Sequence, residues 1–141
     1  MSGIPHEGMS RRTILGSLSV GTAGVALTAC AQENTQLQEA EGPQKPTDMA
    51  SVSDVPVGGA YKATAEGVTV MLTQPKEGTF KAFSSACTHQ GCQLNVQATI
   101  LACPCHASQF SIADGTVIGG PAPTQLPEYP TEVKDGRIFV G

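Results

Sequence analysis

Two short runs, Cys87-Thr88-His89-Gln90-Gly91-Cys92 and Cys103-Pro104-Cys105-His106-Ala107-Ser108, crowd four cysteines and two histidines into a small part of a 141-residue chain. Each run offers thiolates and one imidazole, and thirteen residues separate His89 from Cys103. Thiolates are soft ligands that select zinc, copper(I) or iron-sulfur chemistry. A Cys₂His₂ set by itself fits a closed tetrahedral zinc site. Such a site would use four of the six donors and leave the remaining pair without a task. The two runs therefore mark a metal centre assembled from two loops, with zinc and iron-sulfur chemistry as the rivals. His6 and Cys30 stand apart near the start and need a separate explanation.

The scaffold for these loops is all-β. From Val55 onward short apolar runs alternate with turn residues, and no stretch keeps a 3.6-residue period beyond two turns. Strands are expected at 67–73, where Val68, Val70 and Leu72 alternate with Thr69, Met71 and Thr73, and at 79–84, 97–102, 110–112, 116–118, 132–134 and 137–140. Asp114-Gly115 and Asp135-Gly136 supply turns for two hairpins. Sixteen Gly, ten Pro and only 4% aromatic residues suit many short strands, so a small antiparallel sandwich or barrel spanning 56–141 is expected. A net charge of -4 gives no basic field for nucleic acid, which leaves a protein or a membrane as partner.

The first 29 residues read as an export address. Arg11-Arg12 precedes an uncharged stretch from Thr13 to Ala29, about seventeen residues diluted by Gly16, Gly21 and Gly24. That is short of the roughly 20 predominantly apolar residues that span a bilayer. The paired arginines resemble the twin-arginine signal, which serves proteins that fold around a cofactor before crossing the membrane. Leu27-Thr28-Ala29-Cys30 resembles a bacterial lipobox, in which the thiol of Cys30 is acylated and the preceding peptide removed; a retained helical anchor is the alternative. Two acyl chains would hold the mature protein on the outer face of the cytoplasmic membrane, which one chain would not do. Residues 30–55, rich in Gln, Glu, Thr and Pro, are expected to form a flexible tether.

The Cys-x-His and Cys-x-x-His boxes, each with an extra cysteine, resemble those of the Rieske [2Fe-2S] proteins, in particular the disulfide-containing, quinol-oxidising branch. Gly119-Gly120-Pro121-Ala122-Pro123 is similar to the proline loop that covers the cluster in that family. The resemblance implies a Rieske-type sandwich with a cluster-binding subdomain of two loops plus the proline loop, and one 2Fe-2S cluster per chain. It makes Cys87, His89, Cys103 and His106 the ligands, with the thiolates on the inner iron and the imidazoles on the outer one, and pairs Cys92 with Cys105 in a disulfide. It puts Ser108, Phe110 and Pro121 around the cluster, Ser108 as a donor to a bridging sulfide. The sequence departs from the branch at three points: Phe110 replaces a Tyr that donates to a ligand thiolate, Ala107 the Gly usual after the histidine, and Gln90 an apolar shield. With every box donor so used, no independent catalytic constellation is left. The function implied is one-electron transfer between redox proteins such as a cytochrome or an oxidase. The alternatives are a Rieske subunit of a quinol to cytochrome oxidoreductase, the small subunit of an arsenite-oxidase-like enzyme, or, in another class, a structural zinc lipoprotein.

Overall fold

A computed structural model describes residues 42–141. The expectations for the paired arginines, Cys30, the signal segment and the start of the tether lie outside the described residues. Eleven strands make three antiparallel sheets among these residues. The first sheet has β1 (Thr47–Ser51), β11 (Arg137–Val140) and β10 (Thr131–Lys134), in that order. The second has β2 (Gly59–Ala65), β3 (Val68–Lys76), β4 (Thr79–Ser84) and β9 (Glu128–Tyr129). The third is a meander of β5 (Asn95–Gln97), β6 (Ile100–Ala102), β7 (Gln109–Ser111) and β8 (Val117–Gly119). No helix among the described residues is long and apolar enough to cross a membrane.

Period-two alternation on β3 explains how the sheets stack. Successive side chains point to opposite faces of a strand. Val70 and Leu72 join Met49, Ala50, Ile138 and Val140 in one core, beneath the first sheet. Met71, between them, joins Phe83, Leu94, Leu101, Phe110 and Leu126 in a second core, beneath the third sheet. The middle sheet is thus covered on both faces, and the second core also contains Cys87 and Cys103. The metal-box residues are mounted directly on it.

Two expectations need correction, and two further strands carry no local signal. The tether was expected to run to residue 55, but β1 pairs with β11 in the register Thr47 to Val140, and Met49, Ala50 and Val55 are buried. Long-range pairing orders a segment too poor in apolar residues to fold by itself. Strand β2, reading Gly-Ala-Tyr-Lys-Ala-Thr-Ala, has no β-branched alternation to announce it; it forms because β3 supplies a seven-pair ladder. The single strand expected at 97–102 is a hairpin of β5 and β6 turning at Ala98-Thr99, with Ala98 at φ 53°, a left-handed position that carries no Gly, Asn or Asp signal. The short β9 was also not foreseen. By contrast, the Asp135-Gly136 turn joins β10 to β11 with both residues at positive φ, as a type I′ hairpin requires.

Candidate metal centre

Both boxes fold into the same local structure. In the first, the Cys87 amide donates to the Cys92 carbonyl at 2.8 Å and the Gly91 amide donates to the Cys87 carbonyl at 2.8 Å. In the second, the Cys103 amide donates to the Ser108 carbonyl at 2.8 Å and the Ala107 amide donates to the Cys103 carbonyl at 3.1 Å. Each turn closes on its leading cysteine, and each needs a left-handed residue four positions on: Gly91 at φ 73° and Ala107 at φ 58°. A side chain costs roughly 1 kcal/mol or more in that region, which glycine does not incur. Ala107→Gly should therefore stabilise the domain by about 0.5–1 kcal/mol in urea unfolding. A destabilisation would show that the Ala107 methyl has a packing role exceeding its backbone strain.

The two turns bring their leading cysteines together and their histidines together. Cys87 and Cys103 are free thiols, buried, and hydrogen-bonded to each other. His89 and His106 meet edge to face with ring centroids 4.7 Å apart. His106 is exposed, whereas Nδ1 of the half-buried His89 is shut off from solvent with no hydrogen-bond partner. An orphaned imidazole nitrogen is costly unless something binds it. A buried nitrogen without a hydrogen-bond partner is what a metal-ligating imidazole presents. Burial pushes the Cys103 thiol up, but amides of Cys105 and His106 and the Cys87 thiol outweigh it and hold Cys103 below the ordinary thiol value. Those donors favour the thiolate, the form that ligates metal.

The sulfurs of Cys92, Cys103 and Cys105 also lie within 4.8 Å of one another. They are not a ligand trio, because Cys92 and Cys105 form a disulfide that joins the two loops, with Cα atoms 6.5 Å apart. The box donors outside the disulfide are Cys87 and His89 in the first turn and Cys103 and His106 in the second, one thiol and one imidazole from each. This set fits a metal centre with mixed sulfur and nitrogen ligation.

Several supports were not singled out in the sequence. Lys62 on β2 donates from its ammonium to the Leu94 carbonyl at 2.9 Å, tying the first loop to the middle sheet. The Thr88 hydroxyl donates to the Thr124 carbonyl at 2.7 Å, and the Ala122 amide donates to the buried Ser108 hydroxyl oxygen at 3.2 Å. The proline loop is thus fastened to both boxes, once to each. Ser108 accepts from Ala122 through its oxygen, so its own proton stays available for donation. Phe110 is fully buried in the core shared with both free cysteines. Pro121 is exposed, flanking the buried Ala122 that makes the contact. No local signal marks Lys62, Thr88 or Thr124, since their roles depend on contacts 32 and 36 residues away.

Comparison with known proteins matches residues 45–130 to the model of the Rieske [2Fe-2S] domain family. The chain is 37% identical over 96 residues to the cytochrome b6-f complex iron-sulfur subunit of Chlorobaculum tepidum, covering 65% of this chain and 51% of that one. It is 30% identical over 115 residues to the menaquinol:cytochrome c reductase iron-sulfur subunit of Geobacillus thermodenitrificans, covering 67% of this chain and 68% of that one. The crystal structure of the cyanobacterial plasma membrane Rieske protein of Synechocystis superposes with a TM-score of 0.59 at 31% identity, over 67% of this chain and 98% of that one. The chain spans about half the length of the Chlorobaculum relative.

Proposed function

The chain belongs to the Rieske [2Fe-2S] family, and from that premise we propose that it is an exported, membrane-tethered one-electron carrier working beside a larger redox complex. In this family the cofactor is a 2Fe-2S cluster, one per chain, which supplies reversible one-electron transfer when bound. Cys87 and Cys103 would hold one iron and His89 and His106 the other. The observation that supports this reading is the pair of matched turns, one bearing Cys87 and His89 and the other Cys103 and His106, with the two imidazoles 4.7 Å apart and one of their nitrogens buried and unpartnered. The zinc reading falls with family membership.

The chain's own residues have clear tasks around such a centre. Two thiolates and two neutral imidazoles carry half the negative charge of four thiolates, so the site accepts an electron more readily than an all-cysteine one. Burial of Cys87 and Cys103 against Leu101 and Phe110 excludes water from the sulfur side. The exposed His106 provides the short route to a partner. Ser108, fixed by the Ala122 amide, keeps a proton to donate toward the sulfur side. Hydrogen bonds of this kind stabilise added negative charge and raise the potential.

Phe110 lacks the hydroxyl that would give a second such donor, which supports a moderate position for the potential. A hydrogen bond to a charged acceptor contributes about 1.5 kcal/mol or more, so Phe110→Tyr should raise the one-electron midpoint by about 60 mV. Redox titration of the variant beside the parent checks this. An unchanged or lower midpoint would remove Phe110 as the tuning position.

Arg11-Arg12 and the lipobox ending at Cys30 support export and acylation. The relatives from Chlorobaculum and Geobacillus are iron-sulfur subunits of cytochrome b6-f and menaquinol:cytochrome c reductase complexes, which favours a bc-type complex as the setting, with an arsenite-oxidase-like one as alternative. The test is electron paramagnetic resonance of the purified, reduced protein together with iron and acid-labile sulfide analysis. Two irons and two sulfides per chain are expected. Zinc without inorganic sulfide would overturn the proposal. Release of the protein from membranes by Cys30→Ala tests the anchor.

A further inference from the structure

Three sulfurs, those of Cys92, Cys103 and Cys105, lie within 4.8 Å of one another, although only the first and last are bonded. Cys103 is a buried free thiol, and Cys87, the other free thiol, lies outside this trio. A thiol beside a disulfide is the reactant pair of thiol-disulfide exchange, in which the sulfur attacks one end of the bond and expels the other. A new bond needs a sulfur separation of about 2.0 Å, so the sulfurs have less than about 3 Å to close, within reach of side-chain rotation. The surroundings choose which end is attacked. Cys105 is exposed, whereas Cys92 is half-buried and packs against the core that contains Cys103. Attack on Cys92 expels the Cys105 sulfur into water, where its charge is solvated; attack on Cys105 would expel the Cys92 sulfur against the core, where burial penalises it. Attack on Cys105 would also close a ring across Pro104 alone, whose fixed φ restricts the geometry a disulfide demands. A bond from Cys103 to Cys92 spans eleven residues in place of thirteen, so its loop entropy is nearly that of the present one.

We propose that Cys103 is an internal nucleophile toward the disulfide between Cys92 and Cys105, restrained while a metal holds its sulfur, and that a chain stripped of metal rearranges to a Cys92–Cys103 disulfide with a free Cys105. The bond from Cys103 to Cys92 forms and the bond from Cys92 to Cys105 breaks. Cys103 gives up its thiol proton to water, and Cys105 takes one from water. No electron enters or leaves, so neither an oxidant nor a reductant is needed. Metal and disulfide thus compete for one sulfur. The rearranged chain keeps its two boxes tied together, but one of its four metal donors is consumed until the exchange reverses or a dithiol reduces the new bond. The freed Cys105 thiol is exposed beside the exposed His106, open to modification from solvent. The proposal goes beyond electron carriage; it rests on the ligand role of Cys103 and not on which metal is held.

The test starts from full-length holoprotein, whose iron, zinc and sulfide content judges the metal reading by itself. A chelator strips the metal in mild acid, where protonated thiols do not exchange, and desalting removes the metal and any released sulfide. Return to neutral pH starts the reaction. Samples taken over roughly hours are quenched with N-ethylmaleimide, and fragment-ion mass spectrometry of the peptide bearing Cys103 and Cys105 locates the label. Label should lie on Cys87 and Cys103 at the start, then leave Cys103 for Cys105 while Cys87 stays labelled. The process should be first-order, with a rate unchanged by about tenfold dilution, as an intramolecular step requires. Holoprotein kept alongside should gain no label on Cys105. In metal-free chains, Cys103→Ser should leave Cys105 unlabelled, whereas Cys87→Ser should leave the relocation intact. Label persisting on Cys103 after a day, with the original disulfide whole, would overturn the proposal. Label spread over all four box cysteines would overturn it as well, by showing scrambling through an unfolded chain, and so would a rate that rises with protein concentration.

Discussion

Cys92→Ala combined with Cys105→Ser should cost about 3 kcal/mol of stability and loosen the metal centre at the same time. The bridged residues are thirteen apart, so the crosslink removes roughly that much loop entropy from the unfolded chain in the entropic account. The native consequence is more local. Each box closes on itself through its own pair of backbone hydrogen bonds, and each is fastened separately to the proline loop. Between the boxes, the disulfide is the covalent tie. Cutting it touches the second core only at its edge, where Cys92 packs, but allows the imidazoles to move apart. Cys105 is exposed and Cys92 half-buried, so alanine at the inner position and serine at the outer avoid a buried hydroxyl and leave no unpaired thiol to mispair. Denaturant unfolding gives the stability loss, and decay of the visible absorption gives the lifetime of the centre. A loss below about 1 kcal/mol with an unchanged lifetime would mean that the proline loop, and not the disulfide, holds the boxes together.

The two metal boxes and the β class were legible because they are local. The four cysteines and two histidines announce themselves by residue type and spacing, while the choice of Cys87, His89, Cys103 and His106 among them is what the family resemblance implies, and β3 shows itself by its alternating side chains. The Asp135-Gly136 hairpin could be placed to the residue because only certain residues accept its two positive φ angles. What the sequence did not reveal is held by distant partners. β1 pairs with β11 across the whole domain, and Ala60 and Ala63 on β2 are buried only because the two cores lie above and below them. The turn at Ala98 and the turn at Ala107 place alanine where glycine or asparagine would be expected, so their local signal is silent. The equivalence of the two box turns is likewise a backbone property. Their sequences differ in the position of the histidine, second after the leading cysteine in one and third in the other.

Gly120→Ala should be the most damaging single-methyl change near the centre, at about 3 kcal/mol, and the reason can be separated into two parts. The first is conformational. Gly120 has φ +82°, which a Cβ disfavours by roughly 1–2 kcal/mol. The second is steric: an added Cβ would come within 2.5 Å of Ser108 Cα, 2.6 Å of the Ala107 carbonyl oxygen and 2.7 Å of the Ser108 amide nitrogen. All three are backbone atoms of the second box, so no side-chain rotation relieves the clash and the proline loop must lift. Lifting breaks the bond from the Ala122 amide to Ser108 and strains that from Thr88 to Thr124. Gly78→Ala is the matched control, because Gly78 has φ +73° with nothing within 4 Å of the added carbon. It should cost only the conformational part, about 1–2 kcal/mol, and leave the metal centre alone. Unfolding of both variants gives the difference directly, and the midpoint potential of Gly120→Ala should shift as the Ser108 hydroxyl loses its fixed position. Equal costs for the two substitutions, with an unmoved potential, would mean that the proline loop does not rest on the second box and that Ser108 is oriented by something else.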